Sequence, residues 1–158
     1  IWDHSATRRR FDARLSELPA ALQERIRVVG PVGEPTLTAL QRRADVFLYP
    51  SLHEGWGLAA LESLAAGTAV ITSNREPFTE FLDADTARLV DPESVGAIAN
   101  ALIALLGDPA ARRALGRAGV ERARQFDWRH TAACHLAAYR PLAATFRAAD
   151  LAAPRTWS

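Results

Sequence analysis

Short apolar runs rich in β-branched residues alternate along this chain with longer stretches of helical periodicity, and turns containing Gly or Pro separate them. The runs that predict β-strands are residues 26–30, 45–49, 69–73 and 87–91. The stretches that predict helices are residues 36–44, 57–66, 77–82, 94–106, 109–126 and the segment from Trp128 onward. Strands that alternate with helices are typical of parallel sheets, because a parallel pair needs a crossover connection. We therefore predict an α/β fold, with a Rossmann-like parallel sheet, helices on both of its faces and further helices at the carboxyl end.

Capping residues mark several predicted helix ends. Ser94 and Asp127 are N-cap residues, and Pro109 stands at the first helical position. We expect the last helix to be broken or kinked at Pro141, because proline cannot donate the helical hydrogen bond. The first 25 residues are expected to contain a helix and a second, short helix that starts at Pro19.

The predicted sheet is small, with four strands where a doubly wound sheet usually has five or more. It lacks an opening strand, and the sequence contains no Met. We interpret these features as truncation inside a larger unit. On this interpretation the chain is a processed product, a cloned piece or the ordered part of something longer.

The composition narrows the class of protein. At 158 residues the chain has the length of about one domain, and 49% apolar with 23% charged residues is ordinary for a globular protein. Its apolar runs fall short of the roughly 20 residues of a membrane helix, so membrane association is not indicated in this segment. One cysteine excludes an internal disulfide, and the histidines lack metal-ligand spacing, so we expect no metal site. A net charge of +1 gives no bias toward nucleic acid, and we expect no nucleic-acid partner.

The segment at residues 50–62, PSLHEGWGLAALE, joins a predicted strand to a predicted helix. Ligands of open α/β sheets bind just beyond the carboxyl ends of the strands, so this loop lies at the expected place. Gly55 and Gly57 let a ligand approach the backbone, and the amides at the start of the helix favour a phosphate. Glu54 and Glu62 can accept hydrogen bonds from hydroxyls on two parts of one elongated ligand.

A phosphate on the amides, with sugar hydroxyls on the two acids, describes a nucleotide sugar. The alternative is that Glu62 is a solvated residue on a surface helix and that residues 55–57 form only a Gly-rich turn. Two neighbouring positions also stay open. His53 either contacts the ligand or only lies beside it. Asn74, like Glu80, either borders the binding pocket or serves a turn or a cap.

Motifs in a fixed order carry a family resemblance over about residues 26–140. They are VVGPV, TLTALQRRADVFLYPS, EGWGLAALE, AAGTAVITSN, EPFTEF, LVDPES and DWRHTAACHLAAY. In order and spacing, these motifs resemble the carboxyl-terminal domain of the group 1 glycosyltransferases, the retaining family 4 enzymes with the GT-B fold. The E-x7-E motif of that family corresponds to Glu54 and Glu62.

The resemblance implies roles for the residues of this loop. Glu54 would contact the transferred sugar as the catalytic residue, and Glu62 would accept hydrogen bonds from the ribose hydroxyls. The backbone amides that would approach the sugar and the diphosphate are those of Gly55, Trp56, Gly57 and Leu58. Trp56 stands where the family usually has phenylalanine, and we expect little change from that. Ser51 lies where the nucleobase edge is often approached.

The resemblance also implies a domain organisation. Residues 1–126 would form the nucleotide-sugar-binding domain, truncated at its amino end. Residues 127–158 would form a helical tail that packs toward an amino-terminal domain. In the family, that second domain binds the acceptor, and an Arg and Lys pair upstream of this region binds the diphosphate.

The activity expected from the resemblance belongs to the whole protein. We expect a bacterial, cytoplasmic glycosyltransferase of hexosyltransferase type, active in carbohydrate biosynthesis. It would use an NDP-sugar donor and would need neither a cofactor nor a metal. This chain alone is expected to be inactive.

Two other functions stay open. A GT-B-like domain can hold a nucleotide or a sugar without chemistry, and a GT-B epimerase performs elimination and addition on the nucleotide sugar. The E-x7-E spacing with EGWGL favours a transferase over an epimerase. A second Rossmann-like domain in the upstream sequence would favour the enzyme over the binding module.

Overall fold

The computed structural model describes residues 4–145. The chain divides between Thr36 and Leu37 into two compact units. The first unit contains α1 (His4–Ser16) and α2 (Ala20–Gln23), and α3 (Glu34–Arg43) begins at its end. Both helices predicted before residue 25 are confirmed, and Pro19 is the N-cap of α2. The division expected between residues 126 and 127 stays a prediction.

Residues 26–30 do not form the strand that their β-branched side chains predict. The Ile26 amide donates to the Gln23 carbonyl in a helical turn, and the segment after it joins no sheet in the described part of the chain. Val28 and Val29 are 45% and 57% exposed. The prediction is wrong because β-branched residues favour a strand only where a neighbouring strand supplies hydrogen bonds and a covered face.

The second unit contains a three-stranded parallel sheet. Its strands, in spatial order, are β1 (Val46–Tyr49), β2 (Ala69–Ser73) and β3 (Arg88–Val90). Tyr49 pairs with Thr72, and Ser73 pairs with Val90, so the three carboxyl ends lie at one edge of the sheet. Three of the four predicted strands are thus confirmed.

The helices of the second unit cover both faces of this sheet. They are α4 (Leu58–Ala65), α5 (Phe78–Phe81), α6 (Val95–Gly107) and α7 (Pro109–Ala123), and the exposed helix α8 (Trp128–Thr145) follows them along the chain. Neighbouring side chains of a strand point to opposite faces. Val70 of β2 packs in one cluster with Leu64 of α4, whereas Ile71 packs in another with Leu105 of α6. The predicted α/β sheet with helices on both faces is therefore confirmed.

Side chains predicted as caps stabilise the later helices. Ser94 Oγ accepts a hydrogen bond from the Ala97 amide at 3.2 Å, and Asp127 Oδ1 accepts one from the His130 amide at 2.6 Å. Helix α8 continues through Pro141, so the predicted break is wrong, while a kink stays a prediction. The helix tolerates the proline because this position is exposed, and water can replace the one hydrogen bond that the ring removes.

Asp83 stabilises the turn between α5 and β3 through its carboxylate. The Thr86 hydroxyl donates to Oδ1 at 2.9 Å, and the amides of Asp85 and Thr86 donate to the same oxygen at 3.1 Å. The hydrogen bond from Thr86, together with these amides and the charge of Arg122, lowers the pKa of Asp83 below its ordinary 3.8. A carboxylate whose pKa is lowered by folding stabilises the fold above its unfolded pKa, and this contribution is lost as the pH falls through the folded pKa.

Replacing Asp83 with asparagine should therefore lower the melting temperature at neutral pH and have a smaller effect in acid. At neutral pH the wild-type carboxylate is ionised and accepts three hydrogen bonds, which the neutral amide accepts less strongly. Once the carboxylate is protonated, the two proteins resemble each other. Thermal melts from about pH 7 down to about pH 2.5 measure this difference. A constant difference over the whole range would contradict the role of the ionised carboxylate.

Candidate functional site

The loop at residues 50–57 leaves the carboxyl end of β1 and is tied to the end of β2 by two hydroxyl groups. Thr72 Oγ1 donates to the carbonyl of Tyr49 at 2.9 Å, and Ser73 Oγ donates to the carbonyl of Ser51. Both donors are fully buried. They fix the first residues of the loop at the edge where the sequence predicts a ligand. These anchors were not predicted from the sequence, although hydroxyl residues at the end of a buried apolar strand are a usable signal.

Gly57 is the residue that the fold requires at the end of this loop. Its φ of +89° is strained for any other residue, and it is the N-cap of α4. A Cβ at this position would lie 2.5 Å from Cε1 of Phe78, a buried side chain of α5. A Cβ on Gly55, by contrast, would meet nothing within 4 Å. Gly57 thus lets the backbone lie against Phe78, while the space around Gly55 is open.

Trp56 packs against the protein rather than extending freely from the loop. Its ring stacks on Phe81 at 4.6 Å between centroids, with an angle of 16° between the planes, and meets the edge of Phe126 at 5.2 Å. The side chain nevertheless remains 39% exposed. The ring of Trp56 therefore anchors the middle of the loop. The predicted contact with the nucleotide sugar then falls to the backbone amide of Trp56.

Glu54, the predicted catalytic residue, lies half-buried beside the end of β1. The phenol of Tyr49 donates a hydrogen bond to Glu54 Oε1. This hydrogen bond, together with burial and the negative charge of Glu54, raises the pKa of Tyr49 to about 12. The phenol therefore stays protonated, and available as a donor, throughout the neutral range. No role was predicted for this side chain from the sequence.

The other predicted residues lie around this loop. Glu62 is exposed in the second turn of α4, next to the buried Ser63. Leu58, the first residue of α4, is exposed as well, and no described side chain caps this helix start. The start of α4 is thus open to an added hydrogen-bond acceptor, as the predicted phosphate contact requires.

Three candidates lie on the loops that follow β1 and β2. Ser51 Oγ donates to the carbonyl of His53 at 3.1 Å within the first loop, and the imidazole of His53 is exposed. Asn74 follows β2 directly, its amide donates to the Val90 carbonyl at 2.8 Å, and its side chain is exposed. The structure therefore brings Ser51, His53 and Asn74 to the carboxyl edge of the sheet, and their contacts to a ligand stay predictions.

Within the described residues, no group of three or more His, Cys, Asp or Glu side chains is placed to hold a metal ion. His130 and Cys134 approach each other to 3.6 Å on exposed α8, without a third ligand of this kind. In the same part of the chain, no helix is long and apolar enough to cross a membrane.

The sequence profile described as glycosyl transferases group 1 matches residues 12–122, which is more than half of the chain. The chain belongs to the group 1 glycosyltransferases. The family predicted from the motifs of residues 26–140 is thus confirmed.

This glycosyltransferase sequence is similar to proteins of bacteria. D-inositol 3-phosphate glycosyltransferase of Kribbella flavida is 40% identical over 123 residues, which are 77% of this chain and 29% of that protein. Phosphatidyl-myo-inositol mannosyltransferase of Mycobacterium leprae is 33% identical over 134 residues, which are 84% of this chain and 36% of that protein. The chain thus spans about a third of the length of these relatives.

A solved structure confirms the fold of the glycosyltransferase domain. Sucrose-phosphate synthase of Thermosynechococcus elongatus, a GT-B protein, superposes with a TM-score of 0.80 at 35% identity. The match covers 89% of this chain and 35% of that one. The predicted assignment to one half of a GT-B fold is therefore confirmed.

Proposed function

We propose that this chain is the nucleotide-sugar-binding half of a retaining glycosyltransferase, which transfers a hexose from an NDP-sugar to an acceptor. Family membership supports the transfer of a sugar. The observation that carries the donor assignment is the anchored loop between β1 and α4, which combines a half-buried carboxylate with an uncapped helix start. Acceptor binding is assigned to a second domain of the whole protein, because the relatives are about three times as long as this chain.

The diphosphate of the donor would bind to the backbone amides of Gly55, Trp56, Gly57 and Leu58. The first amides of a helix lack partners within the helix and carry a partial positive charge, so they stabilise an anion. The same amides would stabilise the charge that develops on the leaving diphosphate during transfer. This arrangement needs no metal ion, and the proposal includes none.

The two acids of the E-x7-E motif would hold the two sugar rings of the donor. Glu54 would accept hydrogen bonds from the transferred hexose, and Glu62 from the ribose hydroxyls. Glu62 is exposed in the second turn of α4, which suits a carboxylate that accepts hydrogen bonds from the hydroxyls of an arriving ligand. Ser51, His53 and Asn74 would border the donor on the neighbouring loops. The whole protein would act in the cytoplasm.

Calorimetric titration of the chain with UDP, GDP and ADP tests the proposal. We expect one nucleotide to bind at least about tenfold more tightly than the other two, a difference of about 1.4 kcal/mol. The affinity should not change when EDTA is added. If none of the three nucleotides binds, the proposal is contradicted. Binding without any transfer by the whole protein to added acceptors would support the non-catalytic binding module instead.

A further inference from the structure

We propose that Tyr49 is a positioning residue that holds the carboxylate of Glu54 in the orientation required for the donor sugar. This inference rests on the proposed function, because it assumes that Glu54 contacts the transferred sugar. The resemblance to the family gives no role to the side chain at position 49. The assignment comes from the contacts of the phenol and its ring.

The backbone of Tyr49 is held at the carboxyl edge of the sheet. The residue pairs with Thr72 in β2, and its carbonyl accepts hydrogen bonds from Thr72 Oγ1 and from the Ser51 amide, both at 2.9 Å. These contacts fix the last residue of β1 relative to the start of the loop. The Cα–Cβ bond of Tyr49 therefore has a defined direction.

Two aromatic side chains hold the ring of Tyr49 in place. It stacks on Phe47 at 5.8 Å between centroids and meets Phe78 edge to face at 6.2 Å, with an angle of 88° between the planes. Phe78 is buried and also lies under Gly57, the last residue of the loop. The phenol oxygen is thus placed by a packed aromatic layer, and the layer supports both ends of the segment from Glu54 to Gly57.

The hydrogen bond from this phenol engages one oxygen of Glu54. Tyr49 donates to Oε1, and among the described residues no donor bonds to Oε2. A donor held by packing restricts the rotation of the carboxylate and leaves the second oxygen to accept from a ligand. Hydrogen bonds to ionised acceptors are about twice as strong as neutral ones, so this contact has enough strength to select one rotamer.

The Tyr49→Phe variant isolates this contact, because it keeps the ring and removes only the hydroxyl. We expect its affinity for the NDP-sugar to fall by about tenfold or more, because a hydrogen bond to a charged group contributes about 1.5–3 kcal/mol. Its affinity for the free NDP should stay unchanged. The Tyr139→Phe variant is the matched control, since Tyr139 is exposed on α8. Both variants should melt at nearly the wild-type temperature.

Calorimetry with UDP and UDP-glucose, GDP and GDP-mannose, and ADP and ADP-glucose measures these affinities in the wild type and in both variants. If the Tyr49 hydroxyl served only stability, its removal would change the affinities for the sugar nucleotide and for the free nucleotide together, or would change neither. Equal affinities of wild type and Tyr49→Phe for the sugar nucleotide that binds would overturn the positioning role, although the proposed function would stand. Failure of the wild type to bind any of the six would overturn the proposed function, and the positioning role with it.

The hydrogen bond itself can be measured without a nucleotide. The sequence has two tyrosines, so absorbance of the Tyr139→Phe variant follows the titration of Tyr49 alone. We expect a midpoint near pH 12, and a lower one, toward 10, after the additional change Glu54→Ala. Circular dichroism at each pH verifies that the chain is folded. A midpoint near 10 in folded protein that retains Glu54 would overturn the proposal.

Discussion

Replacing Gly57 with alanine should lower the free energy of unfolding by about 3 kcal/mol and remove donor binding. The left-handed backbone conformation costs a non-glycine residue about 1–2 kcal/mol, and overlap in a packed core typically costs about 1–3 kcal/mol. The overlap is with Phe78, whose ring is held by Tyr49 and Phe81 and has little room to move. Chemical denaturation measures the loss of stability, and calorimetry measures the loss of binding.

Gly55→Ala is the matched control for this experiment. Its φ is not in the left-handed region, and its Cβ would meet nothing within 4 Å. We expect unfolding within about 0.5 kcal/mol of the wild type. Similar losses of stability in the two variants would contradict the separate roles assigned to these glycines.

Replacing Gly116 with alanine should destabilise the fold by about 3 kcal/mol or more, although alanine is the better helix former. Gly116 is buried in α7, and its Cβ would lie 2.2 Å from the carbonyl oxygen of Gly67. That carbonyl cannot withdraw easily, because the turn after α4 is closed by the amide of Gly67 on Leu64 and the amide of Thr68 on Ser63. We expect the melting temperature to fall by roughly 6–12 °C.

Gly96→Ala provides the control for Gly116. Gly96 lies in α6, and its Cβ would meet nothing within 4 Å. Alanine at such a site gains helix propensity and should be neutral or stabilise the protein by up to about 1 kcal/mol. Thermal melts by circular dichroism compare the two variants. An unchanged melting temperature for Gly116→Ala would show that α4 and α7 are not held by this close approach.

The strands of the sheet could be predicted where a buried run is bounded by clear stops. Residues 69–73 are all buried and follow Gly67, and the strand has the predicted bounds. Residues 26–30 have a similar β-branched pattern without a paired neighbour, and they form no strand. A run of β-branched residues indicates β-propensity only. A strand also needs a partner strand that is distant in sequence, and the run contains no information about that partner.

The candidate site divides in the same way between local and distant information. Glu54 and Gly57 could be identified because the change from strand to loop to helix is encoded within a few residues. The ring contacts of Tyr49 and Trp56 and the hydrogen bond of Ser73 could not, because their partners lie in α5, in the segment after α7 and in the loop after β1, all distant in sequence. Trp56 was predicted as a donor-binding residue, and the position of Phe81 against its ring adds an anchoring function.

The central claim is that the two acids of the E-x7-E motif and the amides between them bind one nucleotide sugar. Glu62 tests it most directly, because its carboxylate is exposed on α4 and its removal disturbs little of the packing. Glu121→Ala is the matched control, since it removes an exposed acid of α7 that forms a surface ion pair with Arg124 at 2.6 Å.

Calorimetric titration with the nucleotide that binds measures the affinities of the wild type, Glu62→Ala and Glu121→Ala. The comparison distinguishes the loss of Glu62 from the loss of an exposed acid elsewhere. The account predicts that affinity falls by about tenfold or more in Glu62→Ala, since hydrogen bonds to a charged group contribute about 1.5–3 kcal/mol, and stays at the wild-type value in Glu121→Ala. Wild-type affinity in Glu62→Ala would contradict the account.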